Sequence, residues 1–116
     1  MTKKKHHERR IATRVPAIFN VNFIHDGDYL ISTTRDISAD GMFLYTENPA
    51  GIDDTITLSF SLGKHSIVDI SAVVVWANRP ENTIDQGMAV KFIKPTEKEK
   101  KTILKIVNKV AVLTEL

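Results

Sequence analysis

The sequence predicts a mainly β domain, an antiparallel barrel or strongly twisted sheet, followed by one C-terminal helix. Three observations carry that expectation. Apolar and polar residues alternate at period two through most of the chain between Val15 and Ile93. Turn-forming residues interrupt these runs at short intervals, so the links are hairpin-length and no helix separates one strand from the next. After Pro95 the apolar spacing changes to that of a helix. About six strands with a single terminal helix exclude a parallel βαβ layout and leave antiparallel pairing.

Each element has its own signal. Val15, Ala17, Phe19, Val21 and Phe23 alternate with residues that include Asn20 and Asn22, the pattern of a half-buried strand. His25-Asp26-Gly27-Asp28 is expected to turn tightly, because Asp-Gly readily supplies the positive φ angles of a hairpin. Tyr29 to Arg35, rich in β-branched residues, is the returning strand. Asp36 to Gly41 reads as a second turn region and Met42 to Thr46 as a short strand, which Asn48-Pro49-Ala50-Gly51 ends. Ile56, Leu58, Phe60 and Leu62 alternate strictly with Thr57, Ser59 and Ser61. Gly63-Lys64 turns this strand into a long one from Ser66 to Ala77. Val73, Val74, Val75 and Trp76 make both of its faces apolar, which predicts a central or strongly bent strand with Trp76 in the core. Arg79 to Gln86 is a polar loop and Gly87 to Ile93 the last strand.

The helix begins at a capping box formed by Thr96 and Glu99, with Glu97 in the first turn where the helix dipole favours an acid. Ile103, Ile106, Val107, Val110 and Leu113 recur at helical spacing, while Lys101, Lys105 and Lys109 mark the other face. The apolar face demands burial over one open end or side of the barrel.

Composition narrows the function. With 116 residues, 42% hydrophobic and 26% charged, the chain suits one globular domain and not two. Cysteine is absent, which excludes a disulfide scaffold, a thiol nucleophile and thiolate-bound zinc, and fits a reducing compartment. The most apolar stretch, Ala72 to Ala77, is too short to cross a bilayer. The basic N-terminus leads into Glu8-Arg9-Arg10 with no apolar segment behind it, unlike a secretory signal. A cytoplasmic protein without membrane insertion is expected. His6 and His7 point apart in an extended segment, His25 and His65 fall at turns, and no cluster of metal ligands accompanies them, so neither metal nor cofactor is expected. No nucleophile elbow, Walker loop or recognised carboxylate pair is present, and the chain is not expected to be an enzyme.

The net charge of +2 conceals an asymmetry. Lys3, Lys4, Lys5, Arg9, Arg10 and Arg14 face one acid, Glu8, leaving ten basic and thirteen acidic residues after Arg14. A concentrated basic segment on a slightly acidic body suits a phosphate-bearing partner. That acidic balance, without a dense aromatic-basic stripe, argues against nucleic acid. Residues 1–8 are expected to form a flexible basic arm and residues 9–116 a single domain. Residues 1–13 lack apolar periodicity, which predicts that the arm orders when a ligand binds.

Two clusters flank the first hairpin. Arg10 and Arg14 are spaced R-x-x-x-R, and Asp36-Ile37-Ser38-Ala39-Asp40-Gly41 reads D-x-S-x-x-G. An antiparallel hairpin returns the chain to its start, so both clusters should share one rim of the barrel. Guanidinium groups grip phosphate, bond O6 and N7 of guanine, or stack on a purine. A carboxylate accepts from the N1–H and N2–H₂ edge that guanine has and adenine lacks. A serine hydroxyl can bond phosphate or a base edge, and a glycine admits close approach to the backbone. Taken singly, each cluster has a plainer explanation: arginines on a solvated face, and Asp and Ser closing a turn on themselves.

Taken together, the two motifs about twenty residues apart on this strand pattern resemble the PilZ domain family. Gly87-Met88-Ala89-Val90-Lys91-Phe92 is similar to the family's Gly-x-(small)-Val-x-Phe last strand, although Ala89 stands where some members carry a second glycine. The trailing helix also matches, so the resemblance runs from Glu8 to the C-terminus. It implies a six-stranded antiparallel β-barrel with a C-terminal helix that binds cyclic di-GMP. It assigns Arg10 and Arg14 to phosphate and guanine, Asp36 and Ser38 to polar contacts, and Gly41 to keeping the turn open. Arg9, just before R-x-x-x-R, implies a stacked pair of ligands. The expected function is a second-messenger receptor that signals to a downstream protein through the ordering of its arginine arm. The alternative is a PilZ-like adaptor that works through protein contacts without ligand.

Overall fold

The computed structural model describes residues 14–78 and 86–115, the last four by their backbone alone. Seven strands and one helix lie among them: β1 (Val15–Pro16), β2 (Asn20–His25), β3 (Asp28–Ile37), β4 (Gly41–Tyr45), β5 (Thr55–Leu62), β6 (His65–Asn78), β7 (Gly87–Phe92) and α1 (Glu97–Glu115). Strands β2 to β7 form a closed six-stranded antiparallel barrel: β3 pairs with β2 and β4, β4 with β7, β7 with β6, β6 with β5, and β5 returns to β2. β1 extends the β2 side of β3 beyond the barrel. Closure removes the free edges that an open sheet would expose.

The expected single strand from Val15 to Phe23 is two pieces: the register against β3 shifts by one residue between Pro16–Asp36 and Asn20–Thr33, and the exposed Ile18 lies in the gap. The side chain of Thr34 spans the gap, donating to the Ala17 carbonyl at 2.8 Å and accepting from Phe19 N–H at 3.0 Å. At the β2–β3 turn Asp26 and Gly27 take φ of 52° and 85°, as a two-residue hairpin requires. His25, at its base, bonds Asp54 at 3.1 Å and so ties the hairpin to the loop before β5.

Three further expectations are corrected. Asp36 and Ile37 belong to β3, where they pair with Pro16 and Val15 on one side and with Phe43 and Met42 on the other; the turn is confined to Ser38–Asp40. Trp76 is not in the core but 44% exposed. The register between β6 and β7 slips from Val74–Val90 to Trp76–Ala89, so Val75 is an inserted residue and both it and Trp76 turn outward. The last strand ends at Phe92, although Ile93 N–H still bonds the Ser71 carbonyl at 2.8 Å.

Inward residues of every barrel strand form one core, among them Phe23, Leu44, Ile56, Leu58, Ile70, Val74 and Met88, all essentially inaccessible. α1 opens with the expected capping box: Glu99 N–H donates to the Thr96 hydroxyl at 3.0 Å and Thr96 N–H to the Glu99 carboxylate at 2.8 Å. Its buried Ile103, Ile106 and Val110 join the core, and the helix packs on β6 and β1. It therefore braces the short strand that adjoins Arg14. The Leu113 side chain and residues 79–85 of the expected polar loop lie outside the described residues.

Candidate functional site

The end of β3 and the start of β1 meet at one rim of the barrel, with Val15 opposite Ile37 and Pro16 opposite Asp36. Arg14, one residue before β1, donates from Nη1 to Asp36 Oδ1 at 2.7 Å. Arg35 donates from Nε to the other oxygen, Oδ2, at 3.0 Å. The two guanidinium groups are about half exposed, at 46% and 47%, whereas the Asp36 side chain is 14% exposed. The carboxylate is thus set back between two accessible cations.

A β-bulge explains this arrangement. The pairing of β3 with β4 shifts from Thr34–Leu44 to Asp36–Phe43, which leaves Arg35 as the extra residue. Thr34 and Ile37 point inward and are fully buried, so the inserted residue lets Arg35 and Asp36 both reach the outer rim. The Arg35 guanidinium then lies 4.0 Å from the centre of the Phe43 ring, a cation–π contact. Phe43 meets Tyr45 edge-on at 5.6 Å and Trp76 at 5.7 Å between ring centres. Arg14, Arg35, Phe43, Trp76 and Ala89 line a recess of about 250 Å³. The bulges in β3 and β6 deliver its polar and aromatic parts from opposite sides of β4 and β7.

The D-x-S-x-x-G motif divides in two. Asp36 faces the rim, but Ser38 is buried and closes its own turn: its hydroxyl accepts from the N–H groups of Asp40 and Gly41, each at 3.2 Å, and donates to the Gly41 carbonyl at 3.3 Å. Gly41 is buried at the start of β4, where a β-carbon would collide with the Val90 carbonyl of β7. In this conformation Ser38 and Gly41 shape the turn and its docking on β7, which a bond from Phe92 N–H to the Asp40 carbonyl at 2.8 Å completes. Arg9 and Arg10 lie outside the described residues. Sequence reasoning missed Arg35, Phe43 and Trp76. Only the adjacent charges Arg35-Asp36 and the unbroken run Val73 to Trp76, each interrupting the period-two pattern, hinted at the bulges.

Two arginines over one carboxylate leave the rim with net positive charge. Guanidinium donors and an exposed indole can hold phosphate and a planar base, and the carboxylate can accept from a base edge. A larger groove of about 470 Å³ between β3 and β4 has Glu47 as its charged lining residue among the described residues, which does not suit an anion. Among the described residues no group of His, Asp or Glu is arranged to hold a metal ion, and no helix is long and apolar enough to cross a membrane.

Comparison with known proteins adds three findings. The sequence model of the PilZ domain matches residues 5–109. The PilZ domain of CeSA from a cellulose-synthesizing bacterium has a similar structure, with a TM-score of 0.69 at 16% identity over 85% of this chain and 98% of that one. The PilZ domain of YcgR from Escherichia coli, solved with c-di-GMP, gives a TM-score of 0.72 at 13% identity over 91% of this chain and 94% of that one. No curated protein is significantly similar in sequence.

Proposed function

This chain belongs to the PilZ domain family, and on that footing we propose that it is a cyclic di-GMP receptor that binds the messenger at the β1–β3 rim and does no chemistry on it. The observation that carries the reading is the contact between Arg14 and Asp36, one residue from each motif, at the mouth of a recess walled by Arg35 and Trp76. The ligand seen with the YcgR domain supports the same chemistry here. Arg14, joined by Arg10, takes phosphate and guanine; Asp36 accepts from the guanine N1–H and N2–H₂ edge; Trp76 offers an open aromatic face. Ser38 and Gly41 keep the turn that presents Asp36.

Exchange at this rim costs little. The Arg14 side chain is 46% exposed, and Arg35 stays on Asp36 Oδ2 when Arg14 leaves Oδ1. A ligand phosphate offers Arg14 two parallel charge-assisted hydrogen bonds in place of the one to Oδ1. Ordering of the residues before Arg14 around the ligand would create a new surface for a downstream protein, and Arg9 would serve a second, stacked ligand. A cytoplasmic location fits a receptor for an internal messenger.

One observation favours the adaptor reading instead: both Asp36 oxygens and the Ser38 hydroxyl are already satisfied within the protein. Isothermal titration with cyclic di-GMP separates the two. Saturable binding supports the receptor, and its absence leaves the adaptor.

A further inference from the structure

We infer that Arg35 is a positioning residue for ligand recognition: pinned on Phe43, it holds the Asp36 carboxylate in place when Arg14 leaves it for a ligand phosphate. The inference rests on the cyclic di-GMP reading of the rim. Neither sequence motif includes Arg35; it reaches the site only because of the bulge in β3.

The two arginines on Asp36 are held differently. Arg14 makes a 2.7 Å contact with Oδ1, and its side chain is 46% exposed. Arg35 bonds Oδ2 at 3.0 Å and also lies 4.0 Å over the Phe43 ring. Phe43 is itself buried and wedged against Tyr45 and Trp76, so the Arg35 guanidinium has a fixed support. Arg14 is thus the releasable partner and Arg35 the retained one.

This difference matters because Asp36 is set back from solvent. A carboxylate that loses its only cation in a partly buried place is strongly disfavoured. With Arg35 kept on Oδ2, release of Arg14 leaves the charge compensated and frees Oδ1 for a base N–H. A carboxylate offers about four acceptor positions, so Oδ2 can take a second base N–H while keeping Arg35. Both oxygens then face the two-donor edge of guanine in a set orientation. A lysine could supply the charge but neither the planar stack on Phe43 nor the directed Nε–H.

Calorimetric titration of cyclic di-GMP and cyclic di-AMP into the full chain, Arg35→Leu and Arg35→Lys tests this, with thermal melts of all three. Both variants should bind cyclic di-GMP about tenfold more weakly, with the preference over cyclic di-AMP reduced and the melting temperature unchanged. Arg35→Lys at parent affinity would reduce Arg35 to a steering charge and overturn the inference. So would Arg35→Leu within about twofold of the parent. A parent chain that does not bind cyclic di-GMP overturns the functional reading itself and this inference with it; a parent that binds beside an equally tight Arg35→Leu overturns the inference alone.

Discussion

Arg14 and Asp36, twenty-two positions apart in the chain, meet at 2.7 Å across the pairing of β1 with β3. Removing Arg14 should therefore separate binding from folding. Arg35 stays on Asp36 and the Arg14 guanidinium is about half exposed, so Arg14→Ala should cost the fold no more than about 1 kcal/mol. Its loss as a ligand contact should cost about 1.5–3 kcal/mol, a roughly ten- to 150-fold weaker Kd for cyclic di-GMP. Titration and a thermal melt on the same sample check both halves. An unchanged Kd removes Arg14 from the site.

Asp36→Asn tests the guanine-reading role. The amide keeps the shape and one acceptor oxygen but puts an NH₂ donor where the second acceptor stood. It also gives up the charge that holds Arg14 and Arg35. The preference for cyclic di-GMP over cyclic di-AMP should fall about tenfold or more, as expected when a polar edge is left mismatched. Equal affinity of the parent chain for both dinucleotides would show that Asp36 does not read guanine, even if the rim binds both.

How much of this was legible in the sequence depended on whether the signal was periodic. The barrel was readable because each strand alternates, and the meeting of Arg14 with Asp36 followed from a hairpin that must return to its start. The capping box at Thr96 and Glu99 is local chemistry and formed as read. The bulges show only as breaks in the alternation, at Arg35-Asp36 and from Val73 to Trp76, which do not say which residue is inserted. The insertions turn Arg35 and Trp76 outward, where period two gives no such role to the one and burial to the other. Aspartate favours turns, and local sequence alone places Asp36 in one; its non-local partners Pro16 and Phe43 keep it in the strand. Ser38 admits two roles from its sequence context, ligand contact and turn closure, and its buried hydroxyl closes the turn in this conformation.

Trp76 is the sole tryptophan of the chain, is 44% exposed and lines the recess with Arg14. Its emission should respond to ligand directly. Cyclic di-GMP should quench or shift the fluorescence along the same isotherm as the calorimetric heat, and Trp76→Ala should weaken binding by about 1–3 kcal/mol if a base stacks on the indole. Emission unchanged at saturating ligand would place the base elsewhere on the rim.

The helix should act through stability and through β1. Ile103, Ile106 and Val110 are buried in the barrel core, and each such side chain contributes about 1.5–3 kcal/mol on burial. Deleting the chain from Thr96 onward should lower the melting temperature markedly or prevent folding. The gentler Thr96→Ala should cost about 1 kcal/mol by removing the N-cap. A truncated chain that melts with the parent would show that the apolar face serves a partner and not this core.

Stoichiometry is the last expectation, and it rests on Arg9. The recess of about 250 Å³ is smaller than the roughly 300–1,000 Å³ of pockets that enclose a whole ligand, so it suits one base of a dinucleotide and leaves the rest outside. That outer part must be covered by protein, by water or by a second ligand. If Arg14, Arg10 and Asp36 hold one molecule, Arg9 is left without a task. A second cyclic di-GMP stacked on the first brings two more phosphates, whose repulsion a third arginine offsets, and a purine face on which a guanidinium can lie. Arg9 as a long-range attractor is the competing account, because a charge can raise the encounter rate without a fixed contact. Titration of the parent should give two ligands per chain, falling to one in Arg9→Leu. One ligand per parent chain would reject the stacked pair and leave Arg9 as a steering charge, seen as a salt-dependent association rate.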